Sequence, residues 1–316
     1  MAVSVAANAR KTSLVSRAKK DIAKNKILYI MLIPFTVWYI LFVYKPIGGL
    51  VAAFKDFNNP WLGISGSKWC GFDNFITFFT SPFFLRTLKN TFIISFAGLI
   101  FGFPVPIIFS LLLNEVENKK FKSFVQTVSI LPHFISTVVI CGMITSFLSP
   151  STGIINIILD SLGFQRHYFL IDKKCFVPIY TIMGIWQSTG FSAIIYISAL
   201  SSIDTELYEA CKIDGGGKFR QTITVTVPGI LPTIIIMLIM RIGNLLNVGQ
   251  EAILLLYQPS TYETADVIST YVYRTGIVNG QYGVSTAVGI FNSVVALVLV
   301  SLSNFLSKKT TEVALW

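Results

Sequence analysis

Residues Gly215-Gly216-Gly217-Lys218 are the first place to look for chemistry in this 316-residue chain, because backbone N–H groups of a glycine run beside a lysine can cradle a phosphate. A nucleotide loop of that type also needs a glycine five residues before the one that precedes the lysine, and a serine or threonine after it. Those positions hold Lys212 and Phe219, so phosphate chemistry at this loop is excluded. A second polar cluster lies within apolar surroundings, in the stretch RIGNLLNVGQE with Arg241, Asn244, Asn247, Gln250 and Glu251. A ligand rich in hydroxyls, such as a sugar, would need such partners at membrane depth, where an unmet hydroxyl costs about 1–3 kcal/mol. On a helix Asn244, Asn247 and Glu251 fall near one stripe, with Arg241 three residues earlier on it and Gly243 permitting close packing or a bend. These amides either contact such a ligand or tie helices together, and Arg241 pairs either with Glu251 or with a partner chain.

Other candidates are sparser. Trp186 with Gln187 offers a stacking face and an amide, and Asn292 with Ser293 lies in the last apolar run. His133, after Pro132, reads as a packing residue and His167 as a loop residue without a role. Cys70, Cys141, Cys175 and Cys211 show neither CxxC nor zinc spacing, so neither a disulfide nor a metal is expected. With no paired carboxylates or nucleophile and base at catalytic spacing, the chain reads as a non-catalytic protein, with no catalytic residue and no cofactor of its own.

The elements that must position these residues are membrane helices. Hydrophobic residues make up 53% of the chain and charged residues 13%, which excludes an ordinary soluble domain. The expectation is an all-α polytopic membrane protein of about six transmembrane helices, over 27–45, 91–113, 124–148, 176–200, 229–256 and 284–306. These form one domain over 27–308, after a basic segment 1–26 and before a tail 309–316. The first apolar run follows the basic segment at once and resembles a signal peptide, but it is long and lacks a small-residue cleavage site, so a retained helix is expected.

The net charge of +10 is set by this topology rather than by nucleic acid. With a cytoplasmic N-terminus, the inner segments hold fifteen Lys and Arg residues and the outer ones nine, which places both termini and the 204–228 loop in the cytoplasm. Outside, Asp73 to Leu88 reads as an amphipathic interfacial helix, and Ile154–Leu162 as a short apolar one after the turn SPSTG.

The 204–228 loop reads as a compact knob. Asp204 can cap a helix, with Ile203 and Tyr208 at staple spacing across the cap. Leu207, Ala210 and Cys211 share a face whose last two members are small enough for another backbone to approach. Gly215, Gly216 and Gly217 end the helix, and Pro228 and Pro232 mark the start of the next span.

Glu209-Ala210-Cys211, then Asp214-Gly215-Gly216, then Pro228 and Pro232 resemble the EAA loop of ABC importer permeases. Cys211 and Gly216 stand where that family usually has alanine; both are small, and Gly216 is expected to loosen the turn. Segments such as KPIGGLVAAFKDFN, LLLNEVENKKFKSFVQTVSILPHFIS, YISALSSIDTELYEA, DVISTYVYRTGIVNGQYG and the terminal LW are similar to carbohydrate permeases of the aldouronate and multiple-sugar type. The resemblance covers nearly everything after residue 27, and it departs at Gln250, Glu251 and Ala252, where the family often has phenylalanine and an acidic residue followed by glutamine.

The resemblance implies a type I ABC importer permease fold in the bacterial cytoplasmic membrane. It implies a second homologous permease chain, an ABC ATPase dimer that binds ATP and Mg, a lipid-anchored extracellular solute-binding protein and an oligosaccharide substrate. Glu209 would make a charged contact to the ATPase or remain solvated, and Asp214 would hold the turn or join a neighbouring basic group. The competing class is an ion-coupled secondary carrier or channel for a polar solute, for which Glu251 is nearly the only acidic candidate at depth.

Overall fold

The computed structural model describes residues 21–316. Most of the basic segment expected over 1–26, with Arg10, Lys11, Arg17, Lys19 and Lys20, lies outside the described residues. The chain divides into two compact units, Met1–Ala52 and Ala53–Trp316. Helix α1 (Lys26–Phe54) supplies most of the described part of the first and exposes its side chains from Ile27 to Val43, including Leu28, Phe35, Trp38 and Phe42. An apolar helix with that surface is at home in lipid, where its backbone is satisfied internally.

The second unit is all helical among the described residues, apart from one antiparallel bridge between Lys55 and Trp69. It runs through α2 (Asp73–Phe79), α3 (Phe84–Asn114), α4 (Lys119–Ile130), α5 (Thr137–Phe147), α6 (Ile154–Ser161), α7 (Phe176–Leu200) and α8 (Thr205–Ile213). It continues through α9 (Lys218–Gly243), α10 (Gln250–Leu256), α11 (Ile268–Tyr273) and α12 (Tyr282–Thr311). The core between α5, α7 and α10 is built from Ile140, Cys141, Met183, Ile253 and Leu256. A second cluster joins Phe78 of α2 to Ile268, Tyr271, Val284 and Val288.

Among the described residues, α1, α3, α9 and α12 are long and apolar enough to cross a membrane, and a fifth crossing exists if the pair Lys119–Phe134 and Thr137–Phe147 counts as one. That pair is the expected third span, bent by 97°. Pro132 lies in the turn Leu131–Phe134, and Ser136 restarts the helix by accepting from Val139 N at 3.4 Å. The 25-residue α7 has the length of a span but carries Gln187, Ser188 and Thr189 in its middle.

Three expectations are corrected. The interfacial helix over 73–88 is two pieces, because α2 ends at Phe79 and α3 begins at Phe84 after a turn in which Ser81 Oγ accepts from Phe83 N at 3.3 Å. The span expected to begin at 229 starts instead at Lys218, with Pro228 and Pro232 inside it. A π-helical turn over Thr222–Thr226 precedes Pro228, and the Thr222 and Thr224 hydroxyls donate to the carbonyls of Lys218 at 3.0 Å and Arg220 at 2.8 Å. Last, the helix does not continue to 256. It stops at Gly243, whose missing side chain makes room for α12: a Cβ there would lie 2.3 Å from Val300 Cγ2.

Candidate functional site

Two places collect the residues singled out in the sequence. The first is the knob formed by α8 and the start of α9. Asp204 caps α8 by accepting from Glu206 N at 3.0 Å, and Gly215 takes the left-handed conformation at φ 77° that ends it. The knob is tied to the transmembrane helix that follows. Tyr208 Oη lies 3.1 Å from Oγ1 of the buried Thr226, Cys211 Sγ lies 3.7 Å from Thr224 Oγ1, and Ile203 packs over Gly229, where a Cβ would stand 2.8 Å from Ile203 Cδ1. Gln221 Nε2 donates to the Gly216 carbonyl at 2.9 Å and closes the turn. A displacement of α8 therefore acts on α9 through side chains as well as through the backbone.

The expected small face of α8 is split. Cys211 turns inward toward Gly216 and Thr224, whereas Leu207, Ala210 and Glu209 are exposed. Gly216 tightens the turn rather than loosening it: it is buried, and its N–H donates to the Cys211 carbonyl at 2.8 Å. Neither Glu209 nor Asp214 makes a side-chain hydrogen bond or an ion pair within the described residues, and both lie open to solvent beside the exposed Ile213 and Phe219. Lys218, the lysine of the glycine run, lies 3.2 Å from Glu117 and 3.6 Å from Glu115 at the end of α3, which engages it in holding the loop.

The second place is a cavity of about 760 Å³ between α3, α7 and the break after α9. Its wall includes Arg241, Asn244, Asn247, Gln250, Glu251 and Gln187. They do not form a helical stripe. Residues 244–249 leave the helix, Asn244 Nδ2 donates to the Met240 carbonyl at 3.1 Å, and Gly249 N donates to Tyr180 Oη at 3.0 Å, so the amides come from an unwound segment. Backbone of this kind at membrane depth is tolerated where it lines a cavity. The guanidinium of Arg241 passes beside Gly98, where a Cβ would meet Arg241 Nη2 at 3.3 Å. Arg241 forms no ion pair with Glu251, and the described residues give neither charge another ionic partner.

Gln187 Nε2 donates across to the Ile135 carbonyl at 3.3 Å. Trp186, next to it in sequence, is not part of the wall, and Asn292 is also apart, its Oδ1 buried without a hydrogen-bond partner among the described residues. His133 stacks on Phe191 with ring centroids 4.0 Å apart.

The sequence reading missed one wall of the cavity: Tyr180, Gly184, Ser188, Ser192 and Tyr196 of α7. These recur at every fourth residue, which is one face of a helix. A scan of this helix for small and hydroxyl-bearing residues at that spacing would have found them. The finished cavity offers hydroxyls, amides and two unpaired opposite charges beside Met237 and Met240, a lining that can exchange water for the hydroxyls of a polar solute.

The family described as "Binding-protein-dependent transport system inner membrane component" matches residues 102–312. The polygalacturonan/rhamnogalacturonan transport system permease protein YteP of Bacillus subtilis (strain 168) is 42% identical over 92% of this chain and 90% of its own. Protein LplB of the same organism is 41% identical over 93% of this chain and 92% of its own. A chain from the crystal structure of a bacterial ABC transporter involved in the import of the acidic polysaccharide alginate superposes with a TM-score of 0.86 at 47% identity, over 93% of this chain and 99% of that one. A second structure, the bacterial alginate ABC transporter in complex with alginate pentasaccharide-bound periplasmic protein, also gives 0.86, at 46% identity over 94% and 99%.

Proposed function

The chain belongs to the binding-protein-dependent transport system inner membrane components and is a permease subunit of a sugar ABC importer, and from that premise we propose its cargo and its coupling. The cargo is an acidic oligosaccharide, drawn through the cavity beside the broken helix. The observation that carries this reading is Arg241: it stands in a wall of amides and hydroxyls without an ionic partner among the described residues. A guanidinium presents fixed paired donors to a carboxylate, whereas a neutral sugar gives a full charge in such a place no counterpart. A relative named for polygalacturonan and a structural neighbour named for alginate, both acidic, support the same class.

The proposed assembly pairs this chain with a second permease chain, an ABC ATPase dimer that binds ATP and Mg, and a lipid-anchored extracellular binding protein. Both termini and the knob face the cytoplasm in this arrangement, with six crossings in all. Glu209, Ala210, Asp214 and Gly215 form the surface that meets the ATPase, with Cys211 and Gly216 packed beneath it, and closure of the ATPase dimer moves α8 and, through Tyr208 and Thr226, α9. The exposure of Glu209 and the tie from α8 to α9 support this part of the reading.

The purified chain alone is expected to hydrolyse no ATP, and co-expression with the ATPase subunit to yield a complex that Glu209→Lys disrupts. If that variant assembles and turns over normally, the docking surface is wrong. If uptake persists without ATP and follows an ion gradient, the carrier reading replaces the importer.

A further inference from the structure

The loop between α6 and α7 brings together His167, Asp172 and Cys175, three side chains that the cavity does not use. One ligand atom from each lies within 4.8 Å of the other two. His167 Nε2 is 2.9 Å from Asp172 Oδ2 and 3.9 Å from Cys175 Sγ. Ordinary zinc bond lengths in a tetrahedral set put nitrogen and oxygen ligands roughly 3.3 Å apart, and nitrogen and sulfur roughly 3.5 Å apart. The two separations from His167 are therefore within about 0.4 Å of what a shared metal ion requires, and all three ligand atoms lie within 4.8 Å of one another, a spread that side-chain rotations can close.

The surroundings hold these groups in place. Asn156 is fully buried under the loop; its Oδ1 accepts from His167 N at 2.8 Å and its Nδ2 donates to the His167 carbonyl at 3.0 Å. The same Nδ2 reaches the carbonyls of Leu148 and Ser149 at 3.2 and 3.1 Å, which pins His167 to the end of α5. Asp172 Oδ1 is occupied by Lys174 N at 2.8 Å, so Oδ2 remains for the cluster. Cys175 is a free thiol at the N-cap of α7. The backbone positions of all three groups are thus set by contacts other than those they make to one another.

We propose that His167, Asp172 and Cys175 form a binding site for a divalent cation of the zinc class, with water as the fourth ligand. An imidazole nitrogen, a thiolate and a carboxylate oxygen suit a borderline cation; magnesium and calcium prefer sets made wholly of oxygen. On binding, the Cys175 S–H bond breaks, a sulfur–metal bond forms and the proton passes to buffer, with no change of oxidation state. Water can reach the site, since the His167 side chain is 47% exposed and that of Asp172 30%. The bound ion fastens the loop to the first turn of α7, the helix that carries the Tyr180 to Tyr196 wall of the cavity. Nothing in this assignment depends on which sugar is carried.

The test uses the full chain in detergent, stripped with a chelator and titrated with Zn²⁺ alone against a chromophoric competitor, then with Co²⁺ for thiolate-to-metal absorption. One equivalent per chain and a cobalt–thiolate band are expected. Cys175→Ser and His167→Gln each weaken Zn²⁺ binding by at least about tenfold and remove the band, and Cys70→Ser changes neither. Zn²⁺ also raises the unfolding temperature of the wild type but not of Cys175→Ser, so a folded variant is distinguished from a collapsed one. No stoichiometric Zn²⁺, or equal affinity in the wild type and Cys175→Ser, overturns the site.

Discussion

A Cβ placed on Gly216 would stand 2.5 Å from Cys211 Sγ and 2.7 Å from the Cys211 carbonyl oxygen. The two positions at which this loop departs from the alanines of the motif it resembles are therefore in contact with each other. The larger side chain at Cys211 and the missing one at Gly216 form one packing solution.

Gly216→Ala alone is expected to push α8 away from the turn and weaken association with the ATPase subunit several-fold. Cys211→Ala combined with Gly216→Ala relieves the sulfur contact but not the carbonyl one, so the double variant recovers part of the loss. A double-mutant cycle on complex recovery reads this as coupling of about 0.5–2 kcal/mol, and strictly additive effects would remove the argument.

Arg241→Gln is expected to cut uptake of an oligouronate at least tenfold while leaving a neutral oligosaccharide of equal length unchanged or improved. The exchange removes the charge and the guanidinium's paired donors while retaining a polar side chain. Competition uptake in vesicles containing the complete importer measures it. Equal losses for both sugars would show that Arg241 holds the protein together instead.

Two acidic residues on one short segment differ in the burial of their ion pairs. Asp266 is fully buried and receives Arg86 at 2.9 Å, Arg274 at 2.9 and 3.2 Å, and Thr270 Oγ1 at 2.8 Å. Asp266→Asn leaves two guanidinium groups facing each other without their counter-ion and is expected to cost about 3 kcal/mol, less than a fully desolvated network because both arginines are about one third exposed.

Glu263, paired with Lys173 in the open, is the contrasting case. The hydrogen bond and charge of Lys173 hold its carboxyl below the usual range. Its contribution is present above the ordinary carboxylate value and is lost as pH falls through the lower folded one. Glu263→Gln should therefore leave the unfolding temperature almost unchanged at pH 7 and coincide with the wild type in acid.

Gly190 of α7 crosses α4 so closely that a Cβ would lie 2.0 Å from the Ser129 carbonyl oxygen. Gly184, earlier in the same helix, has nothing within 4 Å of that position. Gly190→Ala is expected to destabilise the chain by about 1–3 kcal/mol and Gly184→Ala to leave it unchanged, as read from thermal unfolding in detergent. Equal behaviour of the two would contradict the α4–α7 crossing.

Composition alone marked a helical membrane protein, because a chain with 53% hydrophobic residues has few other ways to satisfy its backbone. Local chemistry was equally legible: Asp204 capping α8 and Gly215 ending it depend on groups a few residues apart. Breaks in the helices were not. The helix stops at Gly243, where α12 packs through Val300, and the bend after α4 comes from Pro132 together with the cap at Ser136, so the stripe expected through Asn244 and Asn247 is a loop. The cavity and the His167, Asp172 and Cys175 cluster depend on the same kind of information. Asn156, which holds His167 in place, contributes nothing to a spacing rule, and the Tyr180 to Tyr196 wall acquires meaning only when α3 and the unwound segment face it. Sequence determines what lies within one turn of helix or one capping box, where the distances are fixed by backbone geometry. Which polar faces meet is decided by packing between residues far apart in the chain, and only the tertiary structure supplies that.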